Sequence, residues 1–138
     1  MMKHLLTLLF IAASFSYVTA QSFSDDFEAY DVGSYIGNNA AEWTTWSGAT
    51  GGTEDAQVVD DKANSGSKSI YFYSTGQGPQ DVVLDFGAKY ETGQFNMTFS
   101  IFVTENTSAY WNFQQETTIG TTWAGNAWYR NDDRLTVD

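Results

Sequence analysis

The strongest hydrophobic pattern in the chain is GQFNMTFSIFV, residues 93–103, in which Phe95, Met97, Phe99, Ile101 and Val103 alternate with Gln94, Asn96, Thr98, Ser100 and Phe102. Successive side chains of a strand point to opposite faces, so this period of two predicts a β-strand with one apolar face turned to a core. Shorter runs rich in aromatic and β-branched residues predict further strands at Ser22–Glu28, Gln57–Asp60, Ser69–Ser74, Val82–Phe86, Ala109–Gln115, Asn126–Arg130 and Leu135–Val137. Between them lie turn-forming clusters: Gly48-Ala49-Thr50-Gly51-Gly52, Ala63-Asn64-Ser65-Gly66-Ser67 and Gly76-Gln77-Gly78-Pro79. Many short strands at a spacing of roughly 8–12 residues predict an all-β, two-sheet antiparallel β-sandwich of the jelly-roll kind. The turn Asn131-Asp132-Asp133 leads into one more strand, and a closed sandwich wants more strands than this leaves room for. The expectation is therefore a C-terminally incomplete sandwich, a fragment of a longer protein.

The first residues follow a different pattern. Lys3 and His4 precede an apolar run from Leu5 to Phe15, and Val18-Thr19-Ala20 then gives a small-residue exit. These are the parts of a secretory signal peptide, residues 1–20, with cleavage after Ala20. A spanning helix needs roughly 20 consecutive apolar residues, and Ser14, Ser16 and Thr19 interrupt this run; no membrane insertion is expected of the mature chain.

Removing those 20 residues from 138 leaves 118, one domain at residues 21–138. Lys3 goes with the leader, so 5 basic residues face 17 acidic ones, a net charge of −12. Nucleic acid and anionic lipid are bound through clusters of Lys and Arg, so neither is an expected partner. Phe10, Phe15 and Tyr17 are also lost, and the remaining 20 aromatic residues are too many for a disordered acidic tail. The chain has no cysteine, which sets it apart from small disulfide-stapled secreted modules and favours a bacterial extracellular or cell-surface protein.

The single histidine, His4, leaves with the leader, so Ser-His-Asp and Cys-His catalysis and zinc sites of the usual kind are excluded from the mature chain. Neither a GxxxxGK[ST] loop nor a strand-linked GxGxxG occurs. What survives is carboxylate chemistry. Paired acids could serve a glycoside hydrolase, and Asp26 and Glu28 have the spacing of two that places both on one strand face. Alternatively, Asp25, Asp26, Glu28, Asp60 and Asp61 could supply oxygens to a structural calcium ion, or stand as solvated acids that keep the protein soluble.

The stretch EWTTWSG places Trp43 and Trp46 three residues apart, on opposite faces if it is extended, so the two indoles cannot enter the same core. In AYWNFQ, Trp111 and Phe113 share one face while Tyr110, Asn112 and Gln114 share the other. Rings beside amides suit a sugar: the ring stacks on the apolar face of a pyranose and the amides fix its hydroxyls. Candidate ligand-binding residues are thus Trp43, Trp46, Tyr110, Asn112 and Gln114, with Trp46 and Tyr110 expected to be exposed. Trp111, Phe113, Trp123 and Trp128 are expected in the core.

Taken in order, FSDDFEAYDVGSYIG, EWTTWSG, EDAQVVDDKANSGSKSIYF, PQDVVLDFG, GQFNMTFSIFV and AYWNFQ give a chain that resembles the concanavalin A-like, laminin-G-like jelly-roll domain of secreted bacterial surface proteins exported by the type IX secretion system. The resemblance spans about residues 22–138 and implies a two-sheet sandwich used in surface adhesion or polysaccharide binding. A related hydrolase group of the same fold carries a Glu-x-Asp-x-x-Glu or Glu-x-Asp-x-Glu strand, and EDAQVVDD lacks that alternation. The resemblance therefore implies a secreted, non-catalytic carbohydrate-binding or adhesion module with a polysaccharide or glycan partner. A structural spacer without a small-molecule site, and a glycoside hydrolase, are the alternatives.

Overall fold

The computed structural model describes residues 22–73, 80–87 and 91–138; the expected leader and the turn Gly76-Gln77-Gly78-Pro79 lie outside that set. One helical turn, α1 (Ile36–Asn39), precedes seven short strands: β1 (Trp43–Thr45), β2 (Gln57–Val59), β3 (Ser69–Tyr71), β4 (Val82–Leu84), β5 (Ala109–Gln114), β6 (Trp123–Tyr129) and β7 (Leu135–Val137). They pair antiparallel as β1–β4, β2–β3 and β5–β6–β7. The chain is mostly β, as its alternation predicts, and its described strands form three small sheets.

Two expected strands are not strands. Residues 94–103 join no sheet, although the Phe95 ring meets Phe86 at 5.1 Å, Phe99 meets Trp111 edge-on at 5.4 Å, and Lys62 Nζ lies 5.5 Å from the Phe102 ring centroid. Alternation fixes which side chains share a face, but a strand also needs a neighbour offering backbone donors and acceptors. None lies beside this segment among the described residues, and Phe95, Met97, Phe99 and Ile101 are exposed. At Ser22–Glu28 the cause is local: the Asp25 carboxylate accepts the Phe27 N–H at 2.9 Å, and Phe27 takes a left-handed φ of 64° that turns the chain.

The buried residues gather around β2. Ile36, Ala56 and Val58 are fully enclosed with Thr45 and Asp55. Backbone bonds from Ile36 N to Ala56 O (2.9 Å) and from Val58 N to Ser34 O (2.9 Å) lay residues 34–36 along β2. Asp55 is 0% exposed, and a buried carboxylate is tolerable only when its oxygens are occupied by donors. Its Oδ1 accepts from Gly37 N (3.2 Å) and Ala56 N (2.8 Å), and its Oδ2 from Gly51 N (2.9 Å). Its own carbonyl accepts from Gln80 Nε2 at 2.6 Å, and Gln80 Oε1 accepts the Tyr73 N–H at 2.8 Å. The approach at α1 requires glycine, because a Cβ on Gly37 would lie 2.6 Å from Thr50 Cγ2 and 2.8 Å from Asp55 Oδ2.

Replacing Asp55 by alanine strands buried N–H groups, each costing about 1–3 kcal/mol. The expected loss for Asp55→Ala is about 3–5 kcal/mol, read from the urea midpoint, and Asp55→Asn, which keeps one acceptor in place, loses less. Equal midpoints for wild type and Asp55→Ala would remove this hub from the account.

Candidate functional site

Trp43 and Trp46 go to different clusters, as their spacing predicts. Trp43, on β1, packs against Phe23 and Phe27 with ring centroids at 6.4 and 6.2 Å. Its indole Nε1–H donates to Asp25 Oδ2 at 3.0 Å, and the Tyr30 hydroxyl donates to the same oxygen at 2.9 Å. With Phe27 N–H on Oδ1, both Asp25 oxygens are engaged. An expected sugar-stacking ring and an expected calcium ligand therefore hold each other.

The remaining acids are placed separately. Glu28 Oε1 accepts from Ser67 N and Lys68 N, both at 2.7 Å, and its Oε2 accepts from Ser67 Oγ at 2.9 Å. The Ser67 backbone N–H, followed by the Ser67 hydroxyl and the Lys68 N–H, holds the Glu28 carboxyl below its ordinary value. Glu28 thus pins the 65–68 loop, and Lys68 Nζ returns to the carbonyls of Glu28 (3.0 Å) and Tyr30 (2.5 Å). Asp26 Oδ1 accepts Glu28 N–H at 3.2 Å, and Asp60 and Asp61 are exposed. Among the described residues, no three Asp, Glu, His or Cys side chains converge to hold a metal ion.

The second candidate group is brought together. Tyr110, Asn112 and Gln114 share a face of β5 and sit opposite Trp128, Asn126 and Trp123 of β6. The Tyr110 hydroxyl donates to Asn126 Oδ1 at 2.8 Å and accepts from Asn112 Nδ2 at 3.2 Å. The Tyr110 ring is 5.3 Å from Trp128, tilted by 37°, and remains 50% exposed. Among the described residues Asn112 Oδ1 and Asn126 Nδ2 have no hydrogen bond, which leaves one acceptor and one amide donor beside two fixed rings.

Trp46 and Trp123 lie at the other end of this face, their rings 6.0 Å apart and inclined by 31°. The pairing slips between Phe113 and Gln114, so that Gly125 faces Phe113 while Trp123 faces Gln114, leaving Ala124 as the extra residue. Such a bulge shifts the alternation by one. It carries Trp123 onto the Tyr110 face, which corrects its expected place in the core: Trp123 is 45% exposed. Gln114 Oε1 accepts Gly120 N–H at 2.6 Å, and a Cβ on Gly120, whose φ is +82°, would lie 2.8 Å from Trp46 Cζ2. The 120-turn therefore seats Trp46, which is half-buried rather than exposed.

Trp43, Trp46, Tyr110, Asn112 and Gln114 all line one broad open hollow that Trp111 and Phe113 from the other face of β5 also line, whereas Trp123, Asn126 and Trp128 of β6 lie outside its lining. Trp111, Phe113 and Trp128 are half-buried. Asn126 and Trp128 complete the arrangement around Tyr110 and were not singled out from the sequence as ligand contacts; the signal for them is the same period of two, Asn126-x-Trp128, read against AYWNFQ. No family profile, curated protein or solved structure matches the chain.

The Asp25 cluster has a pH signature. Burial first, then the hydrogen bond and charge of Asp25, push the Tyr30 hydroxyl up from 10.0 to about 12. Between those values the unfolded chain releases a proton that the folded chain keeps, so stability present below pH 10 falls as pH rises towards 12. The urea midpoint is expected to drop across that window more for wild type than for Tyr30→Phe. Parallel curves for the two proteins would count against the assignment.

Proposed function

We propose that the chain is a secreted, non-catalytic carbohydrate-binding or adhesion module of a bacterial cell surface, built on a concanavalin A-like jelly-roll plan. The observation that carries this reading is the Tyr110, Asn112, Asn126 and Trp128 platform, where a hydroxyl-linked network presents an amide donor and an amide acceptor beside exposed ring surface. Vicinal sugar hydroxyls are paired donors and acceptors, and the C–H face of a pyranose is apolar, so platform and ligand are complementary. A neutral polymer also suits a chain with 5 basic and 17 acidic residues after the leader is removed. A pure spacer has no use for ring surface held half-exposed by polar partners, and that favours binding over the spacer.

Its recognition groups are amides, a phenol and indoles, so the platform needs no bridging cation. Affinity electrophoresis of the purified domain through gels containing neutral polysaccharides, with and without a chelator, tests the reading. Retention that persists in chelator and weakens by about 1–2 kcal/mol for Tyr110→Ala or Trp128→Ala is the expected result. The Lys62→Ala protein, altered away from the platform, is expected to be retarded as much as wild type when each is measured against its own mobility in a polysaccharide-free gel. Free migration in every gel would leave the spacer as the better description.

A further inference from the structure

We infer that the β5–β6 face takes an internal stretch of several linked sugar rings rather than a single sugar or a chain end. The inference rests on the carbohydrate-binding reading and specifies its ligand. Ring surface occurs at two places on this face: Tyr110 with Trp128 at one end, and Trp123 with Trp46 at the other. The rungs Tyr110↔Trp128 and Gln114↔Trp123 are four residues apart on β5, which is about 14 Å at roughly 3.4 Å per residue.

Stacked rings have centroids roughly 4.5–7 Å apart. One pyranose, about as wide as a benzene ring, can lie on one aromatic end and cannot reach the other.

Between the two ends stand amides. Asn112 and Asn126 form the middle rung, with Gln114 next, its carbonyl fixed by Gly120 N–H. The order along the face is a ring rung, an amide rung and a rung that sets the Gln114 amide beside the Trp123 ring, which matches a chain whose apolar ring faces and hydroxyl edges recur along its length. The bulge at Ala124 is what makes the face two-ended, since strict alternation would have sent Trp123 to the opposite side. Among the described residues, Tyr110 and Trp123 stay 50% and 45% exposed, so the ring at each end of the row is open to solvent. An open-ended row of contacts accepts a chain that continues past it, whereas a site for a chain terminus needs a wall.

The test is a length series on the unmodified protein. Neutral oligosaccharides of one linkage, from the monosaccharide to the hexasaccharide, are drawn from whichever polysaccharide retains the domain and titrated against its tryptophan fluorescence. Two linked contacts act together, so affinity is expected to rise by about tenfold or more between the monosaccharide and the tetrasaccharide. Reducing-end modification of the hexasaccharide is expected to leave its affinity unaltered. Trp123→Ala is expected to abolish most of the gain with length, and the series itself needs no variant to fold. A monosaccharide bound as tightly as the hexasaccharide, or a hexasaccharide that loses affinity when its end is blocked, overturns the multi-ring inference while leaving carbohydrate binding intact. Failure of every polysaccharide to retain the domain overturns the binding reading and this inference with it.

Discussion

The N-terminal half of the described structure depends on one buried carboxylate. Asp55 has no exposure, and it is accommodated because three backbone N–H groups point at its oxygens. Those donors come from α1, from the Gly51 turn and from the residue that leads into β2, so one side chain ties the Gly51 turn to the 34–37 segment and to β2. A short helical turn has little stability of its own, since nucleating a helix fixes several residues for a single bond. α1 persists because Gly37 is held by Asp55 and Ile36 is enclosed beside Ala56 and Val58. The same hub reaches the second sheet through neighbouring backbone: Asp81 N donates to Glu54 O at 2.9 Å and Trp46 N to Asp81 O at 2.9 Å. Placement of Trp46, and so of one end of the aromatic face, follows from packing around a residue buried away from that face.

Several acids of this chain work as acceptors for its own N–H and O–H groups. Asp25 gathers an indole, a phenol and a backbone amide; Glu28 gathers two amides and a hydroxyl; Glu54 accepts Ser47 N–H at 3.0 Å and the Ser47 hydroxyl. A charged acceptor forms stronger hydrogen bonds than a neutral one, so in a loop-rich protein with short strands each carboxylate can organise a turn. This use is invisible in composition, where clustered acids read equally well as ligands for calcium. What separates the two readings is where the donors lie, and Ser67 and Lys68 are some forty positions along the chain from Glu28.

Much of the strand pattern is legible because it is local. β2, β3, β4, β5 and β7 fall within the segments that alternation and β-branched content single out, and Leu135–Val137 matches residue for residue. The face shared by Tyr110, Asn112 and Gln114 follows from period two alone. Properties that depend on a partner are not legible. Residues 94–103 carry the best alternation in the chain and still form no ladder, because side-chain pattern says nothing about whether a neighbouring strand is present. Trp123 was unreadable for a different reason. Its face is set by one extra residue at Ala124, and a bulge leaves no mark in composition beyond the adjacent Gly125.

The two faces of β5 constrain each other. On one side, Trp111 lies opposite Ala127, which is buried, and Phe113 lies opposite Gly125. On the other side stand Tyr110, Asn112 and Gln114. Because a strand's side chains alternate, the packing that fixes Trp111 against Phe99 and Ala127 also fixes the angle at which Tyr110 and Asn112 emerge. A slip of one residue in the β5–β6 register would exchange the faces, turning amides inward and indoles outward. The bulge meets both requirements at once. Up to Phe113 the register keeps the apolar side packed, and beyond it the shifted register adds Trp123 to the polar side. The paired strands then hold Tyr110, Asn112, Gln114 and Trp123 at the spacing of the ladder, which under the proposed binding reading leaves less side-chain freedom to lose.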